Sequence, residues 1–590
     1  MDRIWQIIPH DVAVVERLEQ VAKVSPVIAQ LLAARGITDG SQIRSFLTAS
    51  MSDLLNPSLL PNIAEGAEAV IEAVRQKQKI IVFGDYDCDG MSGTAILVNG
   101  LRMIGADVGY YIPNRLEDGY GLSIDAIETL KQRQTDLIIT VDCGVASIEE
   151  VDRANELGIN VIVTDHHEMR SELPRAVAII HPNLDGSTYP FAGLCGAGVA
   201  FKLLWSIFRL ESSSEKVRPD LKEFLVEALG LASIGTVADV VPLLEENRVI
   251  VKHGLNSLRR SKLTGVRSLL EVSKIGDKPA LGADDIGFGI GPRLNAAGRL
   301  GQAQLGVELL TTDSTERATS LAEYIDGLNS SRDSLERSVY LAATKQIKET
   351  FDAENDPAFV LDGAGWHAGV IGIVAGRIAE KYHRPTVIIT WDNLGMKPGM
   401  GSARSAGGIR LNEAFQACTD QLLSHGGHAA AAGLKIEKEN IDAFRAEFLE
   451  YCSAEQTAES LQPLIRIDAE VQLSHLTLQT MEQLDQMAPF GQSNPRPRFC
   501  AMGLTISGEP KTMGGGDRHL TFGVRQDNRT FRVVAFGKGE QKEELAAVTG
   551  EIDLVFQPVI NEFRGLKKVE LHLVDWRPSQ AVSNQSLVSA

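Results

Sequence analysis

The chain has 590 residues, 44% hydrophobic and 23% charged, with a formal net charge of −19 at pH 7; so long a chain of ordinary globular composition is expected to divide into roughly three to four domains. The acidic balance excludes a protein that coats nucleic acid by bulk electrostatics, which needs clustered Lys and Arg, but leaves room for a nuclease with acidic metal ligands and a local basic groove. Cys88, Cys143, Cys195, Cys418, Cys452 and Cys500 form no Cys-x-x-Cys pair, which excludes a disulfide framework or a zinc knuckle and fits a reducing compartment.

In chain order, the opening Met-Asp-Arg-Ile-Trp reaches charged residues too early for a signal peptide. No run approaches the roughly 18 apolar residues of a membrane span, so a cytoplasmic protein with no membrane partner is expected. Residues 1–60 carry short helical patterns. From residue 79, β-branched runs at Lys79–Phe83, Val108–Ile112, Asp136–Val141, Asn160–Thr164 and Val177–Ile180 alternate with amphipathic segments. This pattern predicts β/α units around a parallel sheet, within a domain spanning 61–245. Residues 246–355 form a helical region, in which Leu321, Ile325, Leu328, Leu335 and Val339 predict a long connecting helix over Glu316–Thr350. A smaller α/β domain follows over 356–455, with a strand at Phe359–Leu361, a helix from Val370 to Tyr382 and a strand at Thr386–Thr390. Period-two alternation in Arg518–Val524, Thr530–Phe536, Glu551–Phe556 and Lys568–Val574 then predicts an OB-like β-barrel over 460–577. A polar tail, 578–590, is expected to be disordered.

Chemistry collects after the strands of the first sheet. Asp85, Asp87 and Asp89 follow the first run, Asp142 the third, and Asp165, His166 and His167 the fourth. Asp239 follows an apolar helix over Leu221–Ile234. A lone aspartate at a strand end is usually a turn or a helix cap. Several converging on the carboxyl edge of one parallel sheet, where such folds bind ligands, would repel one another unless cations neutralised them. Oxygen ligands with one or two imidazoles suit Mn²⁺ or Mg²⁺ better than zinc. Asp85-x-Asp87-x-Asp89-Gly90 also opens like an EF-hand loop, but the twelfth position is Ile96 and a strand precedes it, so the calcium reading fails. No P-loop occurs, which argues against ATPase chemistry.

Gly84-Asp-Tyr-Asp-Cys-Asp-Gly90, Val141-Asp-Cys-Gly144, Asp165-His-His167 and Asp239-Val-Val-Pro-Leu243 resemble the four motifs of the DHH phosphoesterase superfamily. Gly291-Pro-Arg-Leu-Asn-Ala-Ala-Gly-Arg299, Gly365-Trp-His-Ala-Gly-Val-Ile-Gly-Ile373, Gly426-Gly-His-Ala-Ala-Ala-Ala-Gly433 and Pro489-Phe-Gly-Gln-Ser-Asn-Pro495 are similar, within it, to the RecJ family of single-strand-specific exonucleases. The resemblance runs in order along nearly the whole chain. It implies a DHH domain, a DHHA1 domain and an OB region, and an enzyme that removes mononucleotides 5′-to-3′ from single-stranded DNA in recombination and repair.

Carried over by position, Asp87 and Asp142 would hold one ion, and Asp89, Asp142, His166 and Asp239 the other, with Asp142 bridging. Two ions roughly 3.5 to 4 Å apart can activate water and stabilise the leaving oxygen. Some relatives have a histidine where this chain has Phe83, so Asp85 or water fills that place, and His167 is placed for a phosphate contact. The resemblance also implies that Gly426 and Gly427 let the backbone approach a phosphate to which His428 donates. Ser402, Arg404 and Arg293 would grip further phosphates, Arg through its planar fork. Arg115 and Tyr120, close in sequence to the metal strands, are candidates to contact the 5′-terminal nucleotides.

Two lobes joined by a long helix would leave a cleft, and one too narrow for a duplex would account for single-strand selectivity. An OB barrel implies strand binding through stacked aromatics and a basic groove, although Phe522, Phe531 and Phe536 are residue types usually found in a barrel core. The implied partners are single-stranded DNA, a single-strand-binding protein and a helicase, and the chain is expected to be a monomer. Two competing readings are a DHH phosphodiesterase on short oligoribonucleotides or cyclic dinucleotides, and a non-catalytic DNA-binding scaffold. The extra barrel argues against the first, and the full set of second-ion ligands against the second.

Overall fold

A computed structural model describes residues 3–115, 117–214, 216–393, 397–457 and 461–579. It divides into two compact units, one of Leu54–Pro242 with Ile250–Pro463, the other of Arg3–Asp53, Leu243–Val249 and the chain from Leu464 onward. The tail expected from 578 falls outside the described residues from 580 on; the last strand, Leu566–Pro578, takes up its first position. No described helix is long and apolar enough to cross a membrane. All six cysteines are free and buried.

The first unit is built on two sheets. One is all parallel, in the order Asp107–Tyr111, Lys79–Gly84, Leu137–Val141, Asn160–Thr164, Ala178–Ile180. Its strands read as continuous β-branched runs because both faces are covered, and Leu137–Val141 is buried at every position. The helices Cys88–Met103 and Gly196–Glu211 supply much of that cover, with Pro219–Ala238 packed on them, and all three are buried over most of their own lengths. Lys79–Gly84 lies between Asp107–Tyr111 and Leu137–Val141, so the strand order reverses between Gly84 and Val141, and a crevice opens at the carboxyl ends there.

The expected long helix runs over Thr315–Thr350, about 54 Å at 1.5 Å per residue. Ala318, Leu321, Ala322 and Ile325 bury a stripe in its first half, and Val339, Ala343 and Ile347 one in its second. Beyond it the second sheet has the order Ser424–Gly427, Ala431–Ile436, Gly399–Arg404, Thr386–Trp391, Phe359–Ala364. Only the last two strands pair in parallel. Gly399–Arg404 and Ala431–Ile436 escape sequence reading because Gly, Ala and Ser carry little strand preference.

In the second unit Phe499–Met513, His519–Gln526, Arg529–Ala535, Leu566–Pro578 and Ile552–Phe563 pair in that order, and Phe499–Met513 pairs again with Ile552–Phe563 to close an OB-like barrel. The N-terminal residues join this unit. Helices Val12–Ala22, Pro26–Ala34 and Gly40–Thr48 place Val15, Leu18, Ile28 and Leu32 in one core with Phe499, Phe522, Phe556 and Leu571. A strand absent from the sequence reading, Ile4–Ile7, pairs in parallel with Leu464–Ile467. Arg248 is buried here, donating to the carbonyls of Phe46, Gln486 and Ala488 at 2.6, 3.1 and 2.7 Å. Of the three barrel phenylalanines, Phe522 is core, Phe531 packs against it, and Phe536 is exposed between the rings of His519 and His572.

Candidate metal centre and phosphate site

The crevice of the parallel sheet collects carboxylates by local rules. Asp87 caps the helix Cys88–Met103, its Oδ1 accepting from the N–H groups of Asp89 and Gly90 at 2.9 and 3.1 Å. Asp89, in the first turn of that helix, accepts from Gly196 N and Ala197 N at 2.6 and 2.9 Å, at the positive end of the helix Gly196–Glu211. Asp142 leaves its strand in the left-handed region, φ 63°, a strained conformation for aspartate. Two glycines permit the approach. A methyl on Gly196 would lie 2.5 Å from Asp142 Cβ, and one on Gly235 would overlap Asp89 Oδ1. Asp239 ends the helix Pro219–Ala238.

Three groups result whose ligand atoms lie within 4.8 Å of one another: Asp85, Asp87 and Asp142; Asp89, His166 and Asp239; Asp142, His166 and His167. His166 Nε2 is 3.1 Å from Asp142 Oδ1 and 3.6 Å from Asp239 Oδ2. Asp85 Oδ1, Asp142 Oδ1 and His166 Nε2 are buried and make no hydrogen bond, as atoms awaiting a cation do. Burial, and then the neighbouring carboxylates, raise Asp85 and Asp142 well above the usual range, Asp89 to about 6 and Asp239 to about 8. Carboxylates so placed keep their charge at neutral pH only beside cations. Burial, and then His167, lower His166 to about 4, so its ring is neutral and able to ligate. The donor set fits hard divalent ions of the Mn²⁺ or Mg²⁺ type. Phe83 is fully buried and stacks on Tyr111 at 5.1 Å, whereas Asp85 stands among the first group.

Asp165 organises the histidines, a role the sequence reading did not give it. It accepts from Val145 N, His166 N and His167 N at 3.0, 2.8 and 3.2 Å, and lies 2.8 Å from His167 Nδ1. Burial works to lower His167, but the hydrogen bond and charge of Asp165 raise it to about 9, so it is cationic at neutral pH. Tyr120 O–H donates to the Asp142 carbonyl at 2.9 Å and lies 3.0 Å from His167 Nδ1.

The predicted phosphate contacts divide. Arg404 donates to Ser402 Oγ at 3.2 Å and to the Ala403 carbonyl at 2.8 Å, and its pKa is lowered by burial and by Arg115. Arg115 lies over the Tyr86 ring at 4.8 Å. Arg299, absent from the expected set, is the third member: it donates to the Gly369 carbonyl at 3.0 Å and is lowered to about 10 by burial and then by Arg115, Arg332 and Arg404. Arg299 and Arg404, both held down by burial and then by the charge of Arg115, are candidates to receive an anion. Arg293 does not join them. Its guanidinium is taken up by Asp326 and the Gly289 carbonyl, each at 2.8 Å, and by the Val272 carbonyl at 3.3 Å. Gly426 and Gly427 lie in the edge strand and line a cavity of about 490 Å³ with Asn412 and His425. The exposed His428 has Nδ1 3.7 Å from Glu168 Oε2, which brings it beside the Asp165-His166-His167 segment.

Residues 79–236 match the DHH family, N-terminal domain, residues 355–454 the DHHA1 domain and residues 467–575 the RecJ OB domain. The chain is 36% identical over 557 residues to the single-stranded-DNA-specific exonuclease RecJ of Dickeya dadantii, covering 92% of this chain and 94% of that protein. It is 34% identical over 569 residues to the enzyme of that name from Escherichia coli, covering 94% and 96%. The crystal structure of RecJ in complex with Mn²⁺ from Thermus thermophilus superposes with a TM-score of 0.82 at 31% identity, over 98% of this chain and 80% of that one. The chain belongs to the RecJ family of the DHH phosphoesterases.

Proposed function

We propose that this chain is a single-stranded-DNA-specific exonuclease that hydrolyses phosphodiester bonds with two Mn²⁺ or Mg²⁺ ions, releasing 5′-mononucleotides in the 5′-to-3′ direction in recombination and repair. The observation that carries the reading is the pair of buried acceptors, Asp142 Oδ1 and His166 Nε2, 3.1 Å apart without a hydrogen bond. Asp85, Asp87 and Asp142 would hold one ion, and Asp89, Asp142, His166 and Asp239 the other. Such a pair of ions supplies an activated water and neutralises charge on the scissile phosphate. His167, kept cationic by Asp165, donates to a phosphate oxygen. Arg115, Arg299, Arg404 and Ser402 clamp the terminal phosphate, and the backbone at Gly426 and Gly427, with His428, holds the next one. Tyr120, fixed on the Asp142 carbonyl, contacts the 5′-terminal nucleotides.

In domain terms we assign 61–245 to catalysis, 246–355 to the helical connection, 356–455 to phosphate holding and 460–577 to strand binding, with 1–60 as the N-terminal helical segment; the ranges of the three family matches support this division. The proposed setting is a cytoplasmic monomer supplied with strands by a helicase and a single-strand-binding protein. The test is digestion of single strands labelled at either end, with Mn²⁺, Mg²⁺ or chelator, beside an Asp142→Ala variant. Release of the 3′ label first would overturn the polarity, activity in chelator the metal dependence, and full activity in the variant the ligand assignment.

A further inference from the structure

The sequence Ala283–Arg299 folds as one helix with an interruption: Ala283–Asp285 and Gly291–Arg299 are α-helical, and Ile286–Ile290 between them makes a π-helical turn. Such turns are rare and recur at functional sites. Ile286 and Ile290 are buried, while Phe288 between them is 82% exposed, more than any other large hydrophobic side chain among the described residues. A lone exposed phenyl ring is ordinary on a protein surface. Three observations set this one apart.

The turn lies against the end of the helix that carries Asp239, since a methyl on Gly287 would be 3.8 Å from Val237 Cγ1 and one on Gly291 3.5 Å from Ala238 Cβ. Next to Asp239, Val240 is also exposed, at 62%, and sits at φ 59°. The turn is braced, because Arg293 donates to the Gly289 carbonyl and is itself fixed by Asp326 and the Val272 carbonyl. The arginine expected to grip phosphate is thus engaged in holding the turn.

We propose that Phe288 is a base-stacking residue that positions the DNA strand on the Asp239 side of the metal centre. The proposal rests on the single-strand exonuclease reading of that site. Every base has a π-face, so one rigid ring grips any sequence, as a non-specific exonuclease requires.

The test compares the full chain with Phe288→Ala, Phe288→Trp and Phe288→Leu, in Mn²⁺, on a thymidine homopolymer. Loss of one stacked base is expected to raise KM about 5- to 150-fold in Phe288→Ala with kcat retained. Trp restores KM and Leu, apolar but without a π-face, does not. The Mn²⁺-dependent rise in Tm stays at the wild-type value in all three, which separates stacking from damage to the fold. An unchanged KM in Phe288→Ala, or rescue by Leu as complete as by Trp, overturns the proposal while leaving the exonuclease reading intact. A wild-type chain that leaves the strand undigested overturns both.

Discussion

The parallel sheet of the catalytic region and the mixed sheet beyond the long helix each contain five strands, yet they place their polar residues oppositely. The first buries Asp85, Asp89, Asp142 and Asp165 at its strand ends. The second leaves Ser402 and Arg404 half-buried, and the His428 side chain is 72% exposed. Buried carboxylates are useful only when cations fill the space between them, so that half of the site is fixed in advance. Half-exposed donors cost little in the absence of ligand and can adjust as a phosphate arrives. The difference teaches that one side of this crevice suits fixed ions, while the other suits the adjustable grip proposed for the strand.

Substitutions can break or sharpen that contrast. The largest effect is expected from Asp142→Ala. It should lower strand digestion by at least the ~10²–10³-fold lost with one preorganised electrostatic contact, and abolish the Mn²⁺-dependent rise in Tm. A variant still stabilised by Mn²⁺ would remove the fixed half of the comparison. Arg404→Ala deletes a charged donor worth about 1.5–3 kcal/mol, so kcat/KM on 5′-phosphorylated strands should fall roughly 10- to 150-fold, with less loss on 5′-hydroxyl strands. Equal losses on both would mean that the arginine does not hold a terminal phosphate. Asp165→Asn disturbs the support of His166 and His167 and should move the Mn²⁺ activation curve to about 10- to 100-fold higher concentration; an unmoved curve would make Asp165 a purely structural residue. His428→Ala, at the exposed extreme, should raise KM only about 2- to 10-fold, the value of a single hydrogen bond, as read from initial rates on short homopolymers.

The sequence was legible where local pattern and burial coincide. Leu137–Val141 and Asn160–Thr164 are β-branched because the sheet is covered on both faces, and the carboxylates follow each run at once. It was less legible where pairing is distant or alternation is broken. Ile4–Ile7 finds its partner strand more than 450 residues away. The barrel strand Phe499–Met513 carries Gly503, Gly508, Pro510 and two register shifts that erase its period of two. Within the site, Arg293 and Arg299 share one quoted motif but stand six positions apart, about 240° around a helix. Only tertiary packing decides which of the two faces Arg115 and Arg404 and which holds the Gly289 carbonyl. Asp165 was visible as a letter in its motif, but its role depends on the N–H groups of Val145, His166 and His167, whose directions no linear pattern records.

The core shared between residues 3–53 and the barrel has a consequence for biosynthesis. Val15, Leu18, Ile28 and Leu32 leave the ribosome before the catalytic unit, yet Phe499, Phe556 and Leu571, which cover them, are made more than 400 residues later. At about 5–20 residues per second, that leaves an apolar surface open for roughly 20–80 s of translation. The opening helices must wait or be shielded while the catalytic unit is being made, so this shared core can mature only once the barrel strands have been synthesised.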